Sequence, residues 1–336
     1  MSRYVTAILN ARLLDPASRR DETGGVVVVD GVIRELGPAV QAAPEGATVV
    51  DAERACLAPG LVDMRVHFGE PGEEEKETFD SGSAAALAGG VTSLALLPDT
   101  DPPVDDPAMV EFVARRARRA RGVKIHPMGA LTRGLDGRQL AEIGLLREAG
   151  AVAFTDGPIP IADSRVMRRA LAYAGRFGAP VIQRPEDTGL APEGVMNEGA
   201  LSTRLGLAGI PNAAEVILLE RDLRLVELTG ARYHAAQLST AEAVAAIRRA
   251  KDRGLPVTAD VSPHHLMLNE LEVEGYRTFA KVRPPLRAEA DRRALVAGLI
   301  DGTLDAIASD HRPQDQDEKR LPFADAEFGA IGVETM

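Results

Sequence analysis

The pattern of apolar and polar positions changes once along this chain, near Leu57. Before it, short alternating runs at Tyr4–Asn10, Gly25–Val29 and Val32–Leu36 are separated by turn-formers such as Asp30-Gly31, the signature of strands joined by tight turns. Residues 1–55 therefore read as a small β module. After it, apolar runs of strand length alternate with Ala/Arg/Glu-rich stretches of helical period. The predicted strands are Cys56–His67, Val91–Leu97, Lys124–Ala130, Ala151–Thr155, Pro180–Arg184, Arg232–Leu238, Pro256–Val261 and Asp305–Ser309. The predicted helices include Pro107–Ala120, Ser164–Phe177, Asn212–Thr229, Thr240–Arg253 and Glu289–Ile300. Strands that are apolar on both faces and followed by helices belong in a parallel sheet. Repetition of that unit predicts an α/β fold, a (β/α)8 barrel over residues 56–336. Ser239-Thr240 followed by Glu242 marks a helix start, and Gly254 after Arg253 marks a stop.

Composition narrows the partners. The net charge of −11 argues against nucleic acid or an anionic membrane as the main partner. With no Trp and few aromatics there is little to stack on bases. The basic segment Arg115–Arg121 reads as the solvated face of a barrel helix. No apolar run is long enough to span a bilayer, and the N-terminus lacks the apolar centre of a signal peptide. Cys56 is alone, which rules out an internal disulfide or a cysteine-based zinc cluster. A cytoplasmic protein is expected.

In a (β/α)8 barrel the site lies at the C-terminal ends of the strands. The polar residues there are His67, Asp99, Asp156, Arg184, Gln237, His264, His265, and Asp310 with His311. Each alone reads as a solvated strand end, but their recurrence after nearly every strand favours a common pocket. The first strand ends in Arg65-Val66-His67, and residues two apart share a strand face. A His-x-His pair there would open a metal site. A guanidinium has no lone pair to offer a cation.

PGLVDMRVHFGEPGEEEKETFDSGSAAALAGGVTSLALLPDTDP, GAVAFTDGPIP, IQRPED, YHAAQLSTAEAV, PVTADVSPHHL and ASDHRPQDQDEKRLPFADAEFGAIGVET resemble, in order and spacing, the blocks of bacterial type I dihydroorotases of the cyclic amidohydrolase superfamily. The resemblance covers essentially the whole chain. It implies an amidohydrolase-type TIM barrel with a small β-sandwich built from both chain ends, of which residues 1–55 would be half. It also implies helices and strands beyond Met336 that complete the sandwich; without them residues 1–55 would leave a sheet edge for a partner chain to cover. Members interconvert carbamoyl aspartate and dihydroorotate with zinc, which acidifies a water and polarises the carbonyl, while a strand 8 aspartate handles the proton.

Carried over position by position, the family's ligand set is broken. Arg65, Arg184 and Gln237 stand where the resemblance implies histidine ligands, and His234 lies three residues before Gln237. His67, Asp156 and Asp310 are retained, as vestiges. Substrate-holding positions are altered as well: Gly69 for an arginine, Asp99 and Arg283 for asparagines, and Gln314 for a histidine. Asp99 is expected to repel an anionic substrate. Two fixed positive charges beside a dication cost several kcal/mol in a low-dielectric pocket, on the order of Coulomb energies there. Arg65 and Arg184 are accordingly expected to pair with Asp156 and Asp310, with no metal and no catalytic residue. His265 and His264 read as structural, His126 as a core or rim histidine, and His311 as a local hydrogen-bonding group. The resemblance implies a pseudoenzyme of pyrimidine biosynthesis, part of an oligomer in which it scaffolds aspartate carbamoyltransferase catalytic chains. The alternatives are an active zinc-dependent dihydroorotase or related cyclic amidohydrolase, and a sensor holding an anion between Arg65, Arg184 and Arg283.

Overall fold

The computed structural model describes residues 4–120 and 122–336. It divides into two compact units, Met1–Leu61 and Val62–Met336.

In the first unit, β1 (Val5–Asp15), β2 (Arg20–Val29), β3 (Val32–Gly37) and β4 (Thr48–Asp51) form a sheet in the order β3-β2-β1-β4, and β5 (Cys56–Leu57) also pairs with β1. The β1–β2 and β2–β3 pairs are antiparallel hairpins; β4 and β5 run parallel to β1. Because Cys56 and Leu57 register with Arg12 and Leu13, the unit extends to Leu61 and not only to residue 55. Ala7, Val27 and Val40 form one small core, and Ala11, Leu13 and Val26 another. Val32, Ile33, Leu36, Val49 and Val50 stay exposed.

The second unit is the barrel. Its order is β6 (Leu61–Val66), α1 (Phe79–Ala88), β7 (Val91–Leu96), α2 (Pro107–Ala117), β8 (Lys124–Pro127), α3 (Ile143–Ala149), α4 (Ser164–Arg176) and β9 (Val181–Gln183). After β10 (Met196–Asn197), α5 (Ala200–Leu205) and β11 (Gly209–Ile210) come α6 (Asn212–Thr229), β12 (Tyr233–Ala235), α7 (Ala241–Asp252) and β13 (Val257–Val261). The unit ends with α8 (Pro263–Met267), α9 (Glu289–Ile300), β14 (Ala306–Ile307) and α10 (Gln316–Arg320). Two parallel sheets, β6-β7-β8 and β9-β12-β13-β14, are joined into a ring by single-residue bridges. Phe154 links Gly129 to Val181, and His311 links to Val66. The fourth predicted strand, Ala151–Thr155, is thus reduced to one bridging residue. Leu97, Met128, Ala153, Ile182 and Ala236 fill the inside of the ring, while a larger core lies between strands and helices.

Local chemistry explains the element ends. Thr240 caps α7 by accepting from the Ala243 amide at 3.2 Å, and Gly254 follows with φ 74°. Helix α1 was not legible as a periodic segment, since its SGSAAALA run carries no clear polar face; Thr78 and Ser81 close a capping box at its start. Glu70 adds to that cap by accepting from the Phe79 amide at 2.6 Å. Arg116 clamps Glu70 at 2.6 Å and Asp80 at 2.9 Å, so this part of the basic segment is tied to α1 and not simply solvated. Arg121 lies outside the described residues. Among the described residues no helix is long and apolar enough to cross a membrane.

Candidate functional site

The strand ends converge on a cavity of about 440 Å³ whose lining includes Arg65, Arg184, Gln237, Arg283, Asp310 and Arg312. Strand β6 sets its floor. Asp63, fully buried in that strand, accepts from the Arg65 amide at 3.2 Å and the Ser309 amide at 3.1 Å, which locks the first and eighth strands in register. Arg65 is 3% exposed. Its Nε lies 3.7 Å from Asp310 Oδ1, too long for a hydrogen bond, and its Nη2 donates to the Gly157 carbonyl at 3.4 Å. Nε and Nη1 have no hydrogen-bond partner. Burial lowers the affinity of this guanidinium for its proton, with Asp310 opposing; burial likewise raises the Asp310 carboxyl, with Arg65 opposing.

Arg184 leaves the end of β9. It donates to the Pro158 carbonyl, and its Nη1 stands 3.9 Å from Glu186 Oε2. Its Nε is unpartnered. Burial brings its pKa down to about 10 against the pull of Glu186, so it is a cation at neutral pH. Glu186 is shared: Arg283 donates to it through Nε at 2.9 Å and also through Nη2. Although burial pushes Glu186 up, Arg184 and Arg283 together hold it below the usual carboxylate range. Arg283 also lies 5.2 Å above the Phe328 ring.

Gln237, at the end of β12, has φ 57° and a backbone N–H held by Asp260 Oδ1 at 2.7 Å. The other Asp260 oxygen meets His234 Nε2 at 2.8 Å, and His234 Nδ1 meets Thr258 Oγ1 at 2.7 Å. His234 is thereby committed to β13. The Gln237 side chain is 1% exposed, yet both of its amide atoms lack partners.

Several expected placements change. Asp156 does not meet an arginine: its oxygens accept from the Leu131 amide at 2.8 Å, the Thr132 amide at 2.9 Å and the Thr132 hydroxyl. It secures the loop after β8, and burial raises its pKa to about 6 despite the Thr132 bonds. The neighbouring position that meets Arg65 is Gly157, through its carbonyl; Gly157 brings no side chain. Arg65 therefore pairs weakly with Asp310, and Arg184 with Glu186. Asp99 is not a bare repulsive carboxylate, because Arg312 donates to it and His67 Nδ1 sits 3.5 Å away. Burial pushes Asp99 up, but Arg312 and His67 outweigh it and hold the carboxyl below its ordinary range. Gly69 has φ 87°, and a Cβ there would lie 2.6 Å from the Glu73 carbonyl oxygen. The loop leaves no room for any side chain at that position.

Gln314 donates to the Phe328 carbonyl at 2.6 Å. His67 is buried against Asp99 and Glu73, each at 3.5 Å. His311 accepts from the Gly332 amide at 3.1 Å and meets Glu77 at 2.7 Å. His265 bridges Ser262 and the Pro284 carbonyl, and burial brings its pKa to about 4. His126 is exposed on the outside of β8, not in the core. Glu186 and Arg312 escaped sequence reading. The signal available was charge balance: each unexpected strand-end arginine or aspartate called for a counter-ion nearby.

These residues do not fit a metal ion. The unpartnered groups on the cavity-lining residues include cationic N–H donors, and among the described residues no three His, Cys, Asp or Glu side chains come together to hold one.

The profile of the Dihydro-orotase-like family matches residues 54–243. A protein named Dihydroorotase from Syntrophobacter fumaroxidans is 47% identical over 328 residues, spanning 97% of this chain and 75% of its own length. One of the same name from Pelobacter propionicus is 48% identical, spanning 98% and 77%. Among solved structures, the L-hydantoinase of Arthrobacter aurescens superposes with a TM-score of 0.85 at 22% identity, covering 98% of this chain and 75% of that one. The D-hydantoinase of a Thermus species gives 0.79 at 24% identity, covering 98% and 74%. At those identities the likeness is one of fold, that of a TIM barrel.

Proposed function

The chain belongs to the dihydro-orotase-like family, and from that premise we propose that it is a non-catalytic member. In this reading it serves pyrimidine biosynthesis as a scaffolding subunit assembled with aspartate carbamoyltransferase catalytic chains in the cytoplasm. The observation that supports the loss of catalysis is the pair of buried guanidiniums, Arg65 and Arg184, at strand ends where a hydrolytic metal would need imidazoles. A protonated guanidinium offers a cation no lone pair and adds repulsion. Asp310, the aspartate that would move a proton, instead faces Arg65. With Gly69 unable to carry a side chain and Arg283 engaged by Glu186, the substrate-holding positions are altered as well. The partner rests on the family resemblance: such a subunit needs a folded barrel surface and no zinc.

The test is metal content and carbamoyl aspartate cyclisation on the purified protein with zinc supplied, beside co-purification with aspartate carbamoyltransferase chains. No bound zinc, no turnover and a stable complex are expected. The high identity to proteins named Dihydroorotase favours a second reading, an active enzyme using His67 and Asp310. Stoichiometric zinc with turnover lost in Asp310→Ala would establish it and remove the first.

A further inference from the structure

Buried polar groups in folded proteins find partners, and each one left without is destabilising, more so when charged. The barrel mouth leaves several unpartnered in one place: Arg65 Nε and Nη1, Arg184 Nε, and both amide atoms of Gln237. All three side chains are at least nine-tenths buried and line the same cavity. The ion pairs around them are unevenly made. Arg312 has Asp99, and Lys76 has Glu73 at 2.9 Å. Arg65, Arg184 and Arg283 have Asp310 and Glu186 as their ion-pair partners, with the buried Asp260 carboxylate also acting on Arg65, and Arg65 and Arg184 each feel the repulsion of a neighbouring arginine. Glu327 also lines the cavity but is exposed, where water screens it.

We infer that this cavity binds a small planar monoanion, a carboxylate or bicarbonate, between Arg65, Arg184 and Gln237. The guanidinium N–H groups provide the fork that planar oxyanions accept. The free Gln237 amide adds a neutral donor, with its carbonyl oxygen ready for a ligand N–H or O–H. A dianionic phosphate fits less well, because its second charge would face Asp310 at the same wall. The inference rests on the reading that no zinc occupies the barrel mouth.

The test titrates the full chain with sodium acetate and with sodium bicarbonate, against sodium chloride of equal ionic strength and sodium phosphate. Binding is followed by thermal shift and by line broadening of ¹³C-labelled acetate, with zinc measured on the same sample. Saturable acetate or bicarbonate binding is expected, weakened roughly tenfold or more in Arg65→Gln and Arg184→Gln, a loss on the order of one charge-assisted hydrogen bond. Arg184→Lys keeps the charge but loses the fork, and is expected to bind weakly too. Circular dichroism checks that each variant is folded; should one fail, Gln237→Leu and the wild-type line broadening carry the test. Equal shifts with chloride, unchanged affinity in the folded variants, or tighter phosphate than acetate overturn the proposal. A zinc-free protein without saturable binding defeats this inference alone. Stoichiometric zinc with turnover defeats the proposed function and this inference together.

Discussion

Two buried charged clusters in this barrel are built on opposite plans. Around Glu215, on α6, every carboxylate oxygen is used: the Ser239 amide donates at 3.1 Å, the Thr240 amide at 3.0 Å, the Thr240 hydroxyl at 2.9 Å, and the Ser239 hydroxyl also. Arg287 supplies the counter-charge and is itself bonded to Ser239 and Asn197. Around Arg65 the contacts are long, 3.7 Å to Asp310 and 3.4 Å to Gly157, and two of its nitrogens are left without partners beside a cavity that the residue lines. The first is a closed network, of the kind that holds a loop to a helix. The second is open, and open buried polarity is tolerated where something else completes it.

Breaking the closed network should have the largest effect. Glu215→Ala leaves the amides and hydroxyls of Ser239 and Thr240 unpaired and Arg287 without its main counter-ion. The expected loss is about 3–5 kcal/mol, the range for removing one partner of a buried charged pair. It is read as a fall in the urea midpoint at unchanged slope. A loss under about 1 kcal/mol would erase the distinction between the two clusters, since surface-like tolerance is the mark of an unimportant site.

The barrel itself was legible because its signals are local and repeated. Asn212–Thr229 and Glu289–Ile300 are helices at the residues predicted from period alone. The positions of Arg65, Arg184 and Gln237 at one cavity followed from strand ends in a barrel. Partners were not legible, because most come from elements distant in sequence. Arg184 meets Glu186 beside it, but Asp99 meets Arg312, and Arg283 reaches back to Glu186. Asp156 illustrates the limit most plainly. A one-position difference in which residue faces the cavity gave that place to Gly157 and turned Asp156 toward Thr132. Nor does a sequence print a backbone clash such as that at Gly69.

Asp156 belongs with the closed plan, yet burial leaves its pKa at about 6. Because the folded value is raised above the ordinary 3.8, the folded chain holds the proton more tightly than the unfolded chain. The ionised carboxylate therefore counts against the fold above about pH 6, and that penalty fades as pH falls toward the unfolded value. From about pH 7.5 to about pH 4.5 the wild type should gain about 2 kcal/mol relative to Asp156→Asn, which does not titrate. Paired urea melts at the two pH values measure the difference. A gain of the opposite sign would mean that the Thr132 bonds dominate and that Asp156 is an ordinary low-pKa carboxylate.

The open cluster should respond least. Arg65→Met alone strands Asp310, but Asp310 is partly exposed and already raised by burial, so it can take up a proton. Arg65→Met with Asp310→Asn removes both charges and the unpartnered N–H groups together. Replacing a poorly bonded buried ion pair by neutral groups of similar size is neutral or stabilising, here by about 1 kcal/mol. The double variant should thus unfold at the same or a higher urea concentration than the wild type, while Glu215→Ala unfolds far lower. It should also lose the response of its melting temperature to acetate, since a ligand stabilises only the state that binds it. Loss of stability comparable to that of Glu215→Ala would show that Arg65 and Asp310 hold the first and eighth strands together. The barrel mouth would then be a second closed network with long contacts, and its unpartnered N–H groups would have no ligand to explain them.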